Sequence, residues 1–208
     1  MSVAIEGKKS RLVAADYLLQ FVECSVHLFL RNLGWAEPFS LHQRFGHTVM
    51  LTGGTVRNTV KQFCLSIRNL VLMDRVHSVV VVSNANRANR LIIELPVDFC
   101  RTVFYMLPSH AHRSDLEIAA TCAKVLGDTF EHIQRHLAVD TSASISSFEL
   151  FVVVKRNCVP GTELSTPTGF EVLSLDALKS PRWLRLPLKS AVLEDTVVIS
   201  VYTDSIVW

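Results

Sequence analysis

Apolar residues recur along the N-terminal segment at three- and four-residue intervals. Leu12, Ala15, Leu18, Leu19, Val22, Val26, Phe29, Leu30 and Leu33 cover most of a helical cylinder. Asp16, Gln20, Glu23, His27 and Arg31 form one narrow polar stripe on it. A helix apolar on most sides packs against neighbours on more than one face, so the pattern predicts a central helix, stopped at Gly34. The stretch Leu12 to Leu30 is apolar enough to suggest a membrane span. Its interrupting charges argue against one, because a charge near a bilayer centre costs roughly 3 kcal/mol on insertion scales.

Beyond Gly34 the period changes several times. Phe39, Leu41, Phe45, Val49 and Leu51, with Gly46 as a breaker, predict a short hairpin over 39–52. After Gly53-Gly54-Thr55, the spacing of Val56, Val60, Phe63, Ile67, Leu70 and Val71 predicts a second helix with Thr55 as its N-cap. Val76 to Val82 is the β-branched run of a buried strand, and Leu91 to Leu95 returns from a turn at 84–89. Residues 96–113 carry no pattern that places them. Ser114 and Glu117 form a capping box at the start of a third helix. Leu116, Ala119, Ala120, Ala123, Leu126, Phe130, Ile133 and Leu137 are its predicted buried face, with small residues that permit close packing. Phe148 to Val154 and Thr196 to Tyr202 are strand signals. The connection between them holds the turn residues Pro160, Gly161, Pro167 and Gly169 and too much apolar surface for an idle loop, including Trp183, Leu184 and Leu188. This order of elements predicts a two-layer α+β domain, with three helices packed on a mostly antiparallel sheet.

At 208 residues, 49% apolar and 19% charged, the chain suits one hydrophobic core. The formal charge of +2 is spread out, with Gly7-Lys8-Lys9-Ser10-Arg11 as the one small basic cluster. Direct nucleic-acid binding is therefore not expected. Cys24, Cys64, Cys100, Cys122 and Cys158 are odd in number and lack CxxC spacing. They read as core thiols of a reducing intracellular compartment. Met1 to Gly7 lacks the charged-then-apolar order of a signal peptide.

Catalytic arrangements do not emerge. His132 and His136 stand at i, i+4, but Ile133 occupies the position where a zinc-protease motif needs Glu. They read as solvated histidines, as do His110 and His112. Gly53-Gly54-Thr55 before a helix suggests anion binding, but lacks the Lys-Ser/Thr pair of a phosphate loop, so a turn and cap is the plainer reading. There is no GxSxG elbow, and carboxylates are scattered singly. The expectation is a binding module, neither an enzyme nor a cofactor or metal protein. An unpaired sheet edge can accept an extended peptide as an added strand.

Taken in order, the elements resemble the HORMA domain from about Leu12 onward. Ala15-Asp16, Phe21-Val22-Glu23, Val26 to Leu30, Val76 to Val82, and Leu184-Arg185-Leu186-Pro187-Leu188-Lys189-Ser190 resemble the branch that supplies the accessory subunit of DNA polymerase zeta. Phe39-Ser40, Gln43 to Thr48, Thr52, and Val159-Pro160 with its spacing to Phe170 resemble the spindle-checkpoint Mad branch.

The resemblance implies a flexible N-terminus over 1–10, a core over 11–157 and a C-terminal seatbelt over 158–208 that wraps a partner peptide. Phe170 and Val172 match positions where the family grips the peptide with Trp and Leu. Thr59 stands where the family has Tyr, and Phe63, Phe148 and Leu150 complete the implied peptide site. The implied partners are the catalytic subunit of the translesion polymerase and a translesion scaffold polymerase, the latter held by Leu186, Ser200 and Tyr202. Arg135 on the third helix matches a surface for a homodimer or a heterodimer with another HORMA chain. A AAA+ remodelling ATPase is implied for release, and the nucleus as location. The checkpoint branch instead implies inhibition of an activator of the anaphase-promoting complex.

Overall fold

A computed structural model describes residues 2–83, 89–105, 114–137, 147–155, 171–173, 183–193 and 195–206. Helix α1 spans Ser2–Asn32, the hairpin strands β1 and β2 span Phe39–Arg44 and His47–Thr52, and α2 spans Gly54–Leu72. Strands β3 (Val76–Ser83) and β4 (Asn89–Glu94) precede the short α3 (Phe99–Tyr105) and α4 (Asp115–His136). Then come β5 (Phe148–Val154), β6 (Glu171–Leu173), β7 (Trp183–Leu193) and β8 (Thr196–Ile206). The α+β layout with a mostly antiparallel sheet is the predicted one. The short α3 is added within the unplaced 96–113 stretch, where Asp98 accepts the Arg101 N–H at 3.0 Å and caps it.

Helix α1 is central, touching α2, α3, α4 and β2. It begins at Ser2, so most of the stretch expected to be flexible is helical. That stretch holds the good helix formers Ala4, Glu6, Lys8 and Lys9 and no proline. Ser10 Oγ donates to Asp115 Oδ1 at 3.2 Å, tying the early part of α1 to the start of α4. Gly34 ends the helix at φ +78, the left-handed C-terminal stop. Members of the polar stripe reach neighbouring elements. Asp16 takes two bonds from Arg68 of α2, at 2.8 and 3.0 Å, and His27 is wholly buried against Thr52 of β2. Ser10–Asn32 is long and apolar enough to cross a membrane, and its apolar residues are part of the domain core.

The main sheet has the order β6-β5-β3-β4-β8-β7, antiparallel except for the β5–β6 pair. Val79, Val81, Leu91, Ile93, Leu150 and Val152 face the helices in the main core. Val80, Ile92 and Val153 are equally buried on the opposite face, in a second small cluster with Val82, Phe151 and Tyr202. Burial on both faces explains why Val79 to Val82 reads as a continuous apolar run, without alternation.

Three local expectations change. The α2 N-cap is Gly53, whose N–H donates to Pro38 O at 2.8 Å, and Thr55 lies inside the helix. On α4 the capping box is present as expected, but the buried face is Ile118, Cys122, Leu126, Phe130, Ile133 and Leu137, while Leu116 is 79% exposed. The alanines at 119, 120 and 123 fit either orientation, and the larger Ile118, Cys122 and Leu126 set the rotation. Residues 183–193, expected as connection, form the long strand β7 against β8. Pro187, Lys189 and Ser190 hide its pattern, and Pro187 is tolerated because β7 lies at the sheet edge.

Beside the main sheet, β1 and β2 form a two-stranded ribbon closed by Phe45 (φ +54) and Gly46 (φ +79). Two left-handed residues give the hairpin turn whose twist matches the strands. The turn lies on α4 at Gly127, where a Cβ would stand 3.0 Å from Phe45 O and 3.1 Å from His47 Nε2.

Candidate partner-binding site

Two edges bound the main sheet, β6 on one side and β7 on the other. The chain passes between them after Leu173 and before Trp183, so the C-terminal segment joins opposite edges of the same sheet. At the first edge, β6 pairs with β5 over three positions only: Glu171 with Phe151, Val172 with Val152, and Leu173 with Val153. Among the described residues, the Phe148–Leu150 part of β5 has no β6 partner.

The predicted peptide-site residues divide by burial. Thr59 is exposed on α2, its hydroxyl donating to Thr55 O at 3.0 Å. Phe63 is fully enclosed in the core, and Leu150 is buried beneath β5. The side chains of both are turned into the core. Phe148 is half-buried with its ring edge-on to Trp35, centroids 5.4 Å apart. Val172 lies at the β6 position directly beside Val152, and Phe170 lies outside the described residues.

The second predicted surface is split between the two faces of the sheet. Leu186 is half exposed and stands opposite Thr203. Ser200 and Tyr202, two residues apart on β8, point to the other face. Ser200 is nearly buried and shares a 3.1 Å hydrogen bond with Ser190. On that face a charged row crosses three strands, with Arg90, Asp204 and Arg185 directly opposite one another. Arg185 donates to Asp204 at 3.2 Å and to Glu94 at 3.3 Å, and its guanidinium lies 5.1 Å from the Tyr202 ring centre. Burial holds the Arg90 guanidinium below its usual pKa, and the Asp204 charge opposes that shift. Sequence reading missed this row, since pairing Arg185 with Asp204 requires first seeing β7 and β8 as one hairpin.

On α4, Arg135 is exposed and ion-paired with Glu131 one turn earlier. His132 and His136 stack at 4.1 Å, with His136 Nδ1 donating to His132 O at 2.9 Å. Desolvation, then the positive groups His136, Lys189 and Arg135, lowers the His132 pKa. No cluster of three or more metal-ligating side chains occurs among the described residues. His110 and His112 lie outside them. Beside the α2 N-terminus, Glu37 Oε2 comes within 3.2 Å of where a Gly54 Cβ would be. Burial pushes the thiols of Cys24, Cys100 and Cys122 up to about 12, and that of Cys64 higher still. Such thiols are core residues rather than nucleophiles. Cys158 lies outside the described residues.

No protein-family model matches the sequence, and no curated protein matches it. Solved structures do. A chain of the mitotic checkpoint complex aligns over 93% of this chain and 98% of its own, with a TM-score of 0.60 and 13% identity. C. elegans HTP-2 bound to the HIM-3 closure motif aligns over 92% and 89%, with a TM-score of 0.54 and 4% identity. HTP-2 bound to HTP-3 motif-6 aligns over 92% and 88%, again at 0.54, with 6% identity. The chain has a HORMA-type fold. Identities this low establish the architecture.

Proposed function

We propose that this chain is a non-catalytic adaptor that captures a short peptide of a partner protein as an added strand at the outer edge of β5, beneath its C-terminal segment. The observation that carries the reading is that the chain leaves the sheet at β6 and re-enters it at β7, on the opposite edge. A segment so anchored can embrace a strand laid beside β5, whose backbone groups supply the affinity. HTP-2, similar in fold, is bound to closure motifs of HIM-3 and HTP-3.

In the finer reading, the chain is the accessory subunit of translesion DNA polymerase zeta, acting in the nucleus in DNA damage tolerance. Its α1 residues and the Leu184–Ser190 element support that branch. Phe170 and Val172 grip a peptide of the catalytic subunit, with Thr59 and Phe148 beside it and Phe63 and Leu150 acting from within the core. The β7–β8 hairpin, around Leu186, Ser200 and Tyr202, meets the scaffold polymerase. Arg135 on α4 meets a second HORMA chain, and a AAA+ ATPase assists release. The Phe39–Thr52 hairpin residues and the likeness to a checkpoint-complex chain favour a second reading, inhibition of the activator of the anaphase-promoting complex. Affinity purification from cell extract separates them. Recovery of the polymerase catalytic subunit supports the first, and recovery of kinetochore and anaphase-promoting components without polymerase overturns it.

A further inference from the structure

Strand β1 is the outer member of the two-stranded ribbon. It pairs with β2 over six uninterrupted positions and, among the described residues, with no other strand. The inner member, β2, rests on α1 and α2. β1 carries no proline and no lysine, and its register with β2 does not shift. Backbone groups that point away from β2 therefore form an open row, the kind of edge on which a further strand can pair.

The side chains of β1 alternate between two faces. On one, Leu41 is 66% exposed and stands directly opposite Met50, which is 43% exposed. The Arg31 guanidinium borders this apolar step, with Nη1 3.0 Å from Met50 Sδ. His42 and Arg44 fall on the other face, both half-buried. Arg57 of α2 lies close by, since it and His42 both lower the pKa of the buried His27.

Opposite charge is missing from this part of the chain. From Pro38 to Met73, across the ribbon and α2, there is no Asp or Glu, whereas Arg44, Arg57, Lys61 and Arg68 all occur. Of the four, Arg68 is paired, with Asp16. Glu37, just before the stretch, has its Oε2 buried beside Gly54.

From the open edge, the apolar step and the uncompensated basic groups, we propose that β1 is a docking edge for an extended acidic segment of a partner protein, which adds to the ribbon as a third strand. Apolar residues of that segment lie beside Leu41, and its carboxylates lie beside His42 and Arg44, at the usual spacing of neighbouring strands. The segment therefore alternates apolar and acidic positions. Protein fits better than nucleic acid, because a strand edge offers backbone donors and acceptors in register and Leu41 offers an apolar contact. A second copy fits poorly, because its β1 would bring His42 and Arg44 against the same residues. The site is separate from the β5 edge and does not depend on peptide capture there.

A short synthetic peptide alternating valine and glutamate is the probe, read by fluorescence anisotropy and by hydrogen exchange on the full chain. It should bind saturably, more weakly as salt rises, and at least about fivefold tighter than the same peptide with lysine for glutamate. Bound peptide should slow exchange at 40–44 at least about tenfold and leave 148–154 unchanged. Leu41→Ser and Arg44→Gln should each weaken binding at least about threefold. Leu41 is exposed, so its replacement leaves the core intact. Absence of binding, or protection at 148–154 in place of 40–44, overturns the proposal. So does equal binding of the lysine peptide or of a single-stranded oligonucleotide. A concentration-dependent dimer that protects 40–44 without peptide would make a second copy the occupant and overturn it as well.

Discussion

Asp204 and Arg185 face each other directly across β7 and β8, with the carboxylate almost wholly enclosed and the guanidinium partly in water. Removing the enclosed member leaves Arg90 and Arg185 facing each other without their shared anion. Asp204→Ala should therefore destabilise the fold by about 2 kcal/mol, below the usual buried-pair loss because Arg185 is partly solvated. Arg185→Met should cost clearly less. Denaturant unfolding of both variants checks this, and an Asp204→Ala change under about 0.5 kcal/mol would remove the fastening role.

A second test lies where the β1–β2 turn meets α4. Gly to Ala within a helix ordinarily gains up to about 1 kcal/mol from propensity. At Gly127 the new Cβ would sit 3.0 Å from the Phe45 carbonyl, so backbone has to move. Gly127→Ala should destabilise by about 1 kcal/mol or more, measured by thermal and chemical unfolding. A stabilised variant would show that the ribbon does not rest on α4.

His27 predicts an acid-sensitive core. The Thr52 N–H donates to its Nδ1 at 3.2 Å, so that nitrogen holds a lone pair and the buried ring is neutral. Burial, reinforced by Arg57 and His42, lowers its pKa to about 4 from 6.5. Between those values the unfolded chain binds a proton that the folded chain refuses, so stability falls as pH drops through the window. The loss should approach about 3 kcal/mol near pH 4. His27→Gln should flatten that part of the melting-temperature profile. Parallel profiles for the two proteins would contradict the assignment.

The grip on a partner is tested by changing Phe170 and Val172 together to Ala. Both belong to the C-terminal segment, so the melting temperature should shift little while the lifetime of the complex with the polymerase catalytic subunit falls at least about tenfold. Surface plasmon resonance reads the dissociation rate. A wild-type lifetime would remove these residues from the grip.

Long periodic segments were legible in the sequence: α1, α2, β3 and the capping box of α4 all follow from spacing and end signals. What stayed hidden depends on partners distant in sequence. Alanines left the face of α4 ambiguous, and proline and polar residues masked β7 because an edge strand can carry them. The Arg90–Asp204–Arg185 row depends on the register of three strands, which no local pattern reveals. At the candidate site, the resemblance put Val172 in a peptide grip, but its place on an edge strand, the burial of Phe63 and Leu150 and the split of Leu186 from Tyr202 needed the assembled fold.

Pro187 has a consequence for how the sheet can grow. It withholds an N–H from the outermost strand, and the register with β8 shifts twice along it, at 187/189 and at 191/192. Such a rim is a poor template for any further strand, of this chain or another. Among the described residues the opposite rim, β6, pairs with β5 over three positions. On the β7 side the sheet is therefore protected from edge-to-edge aggregation.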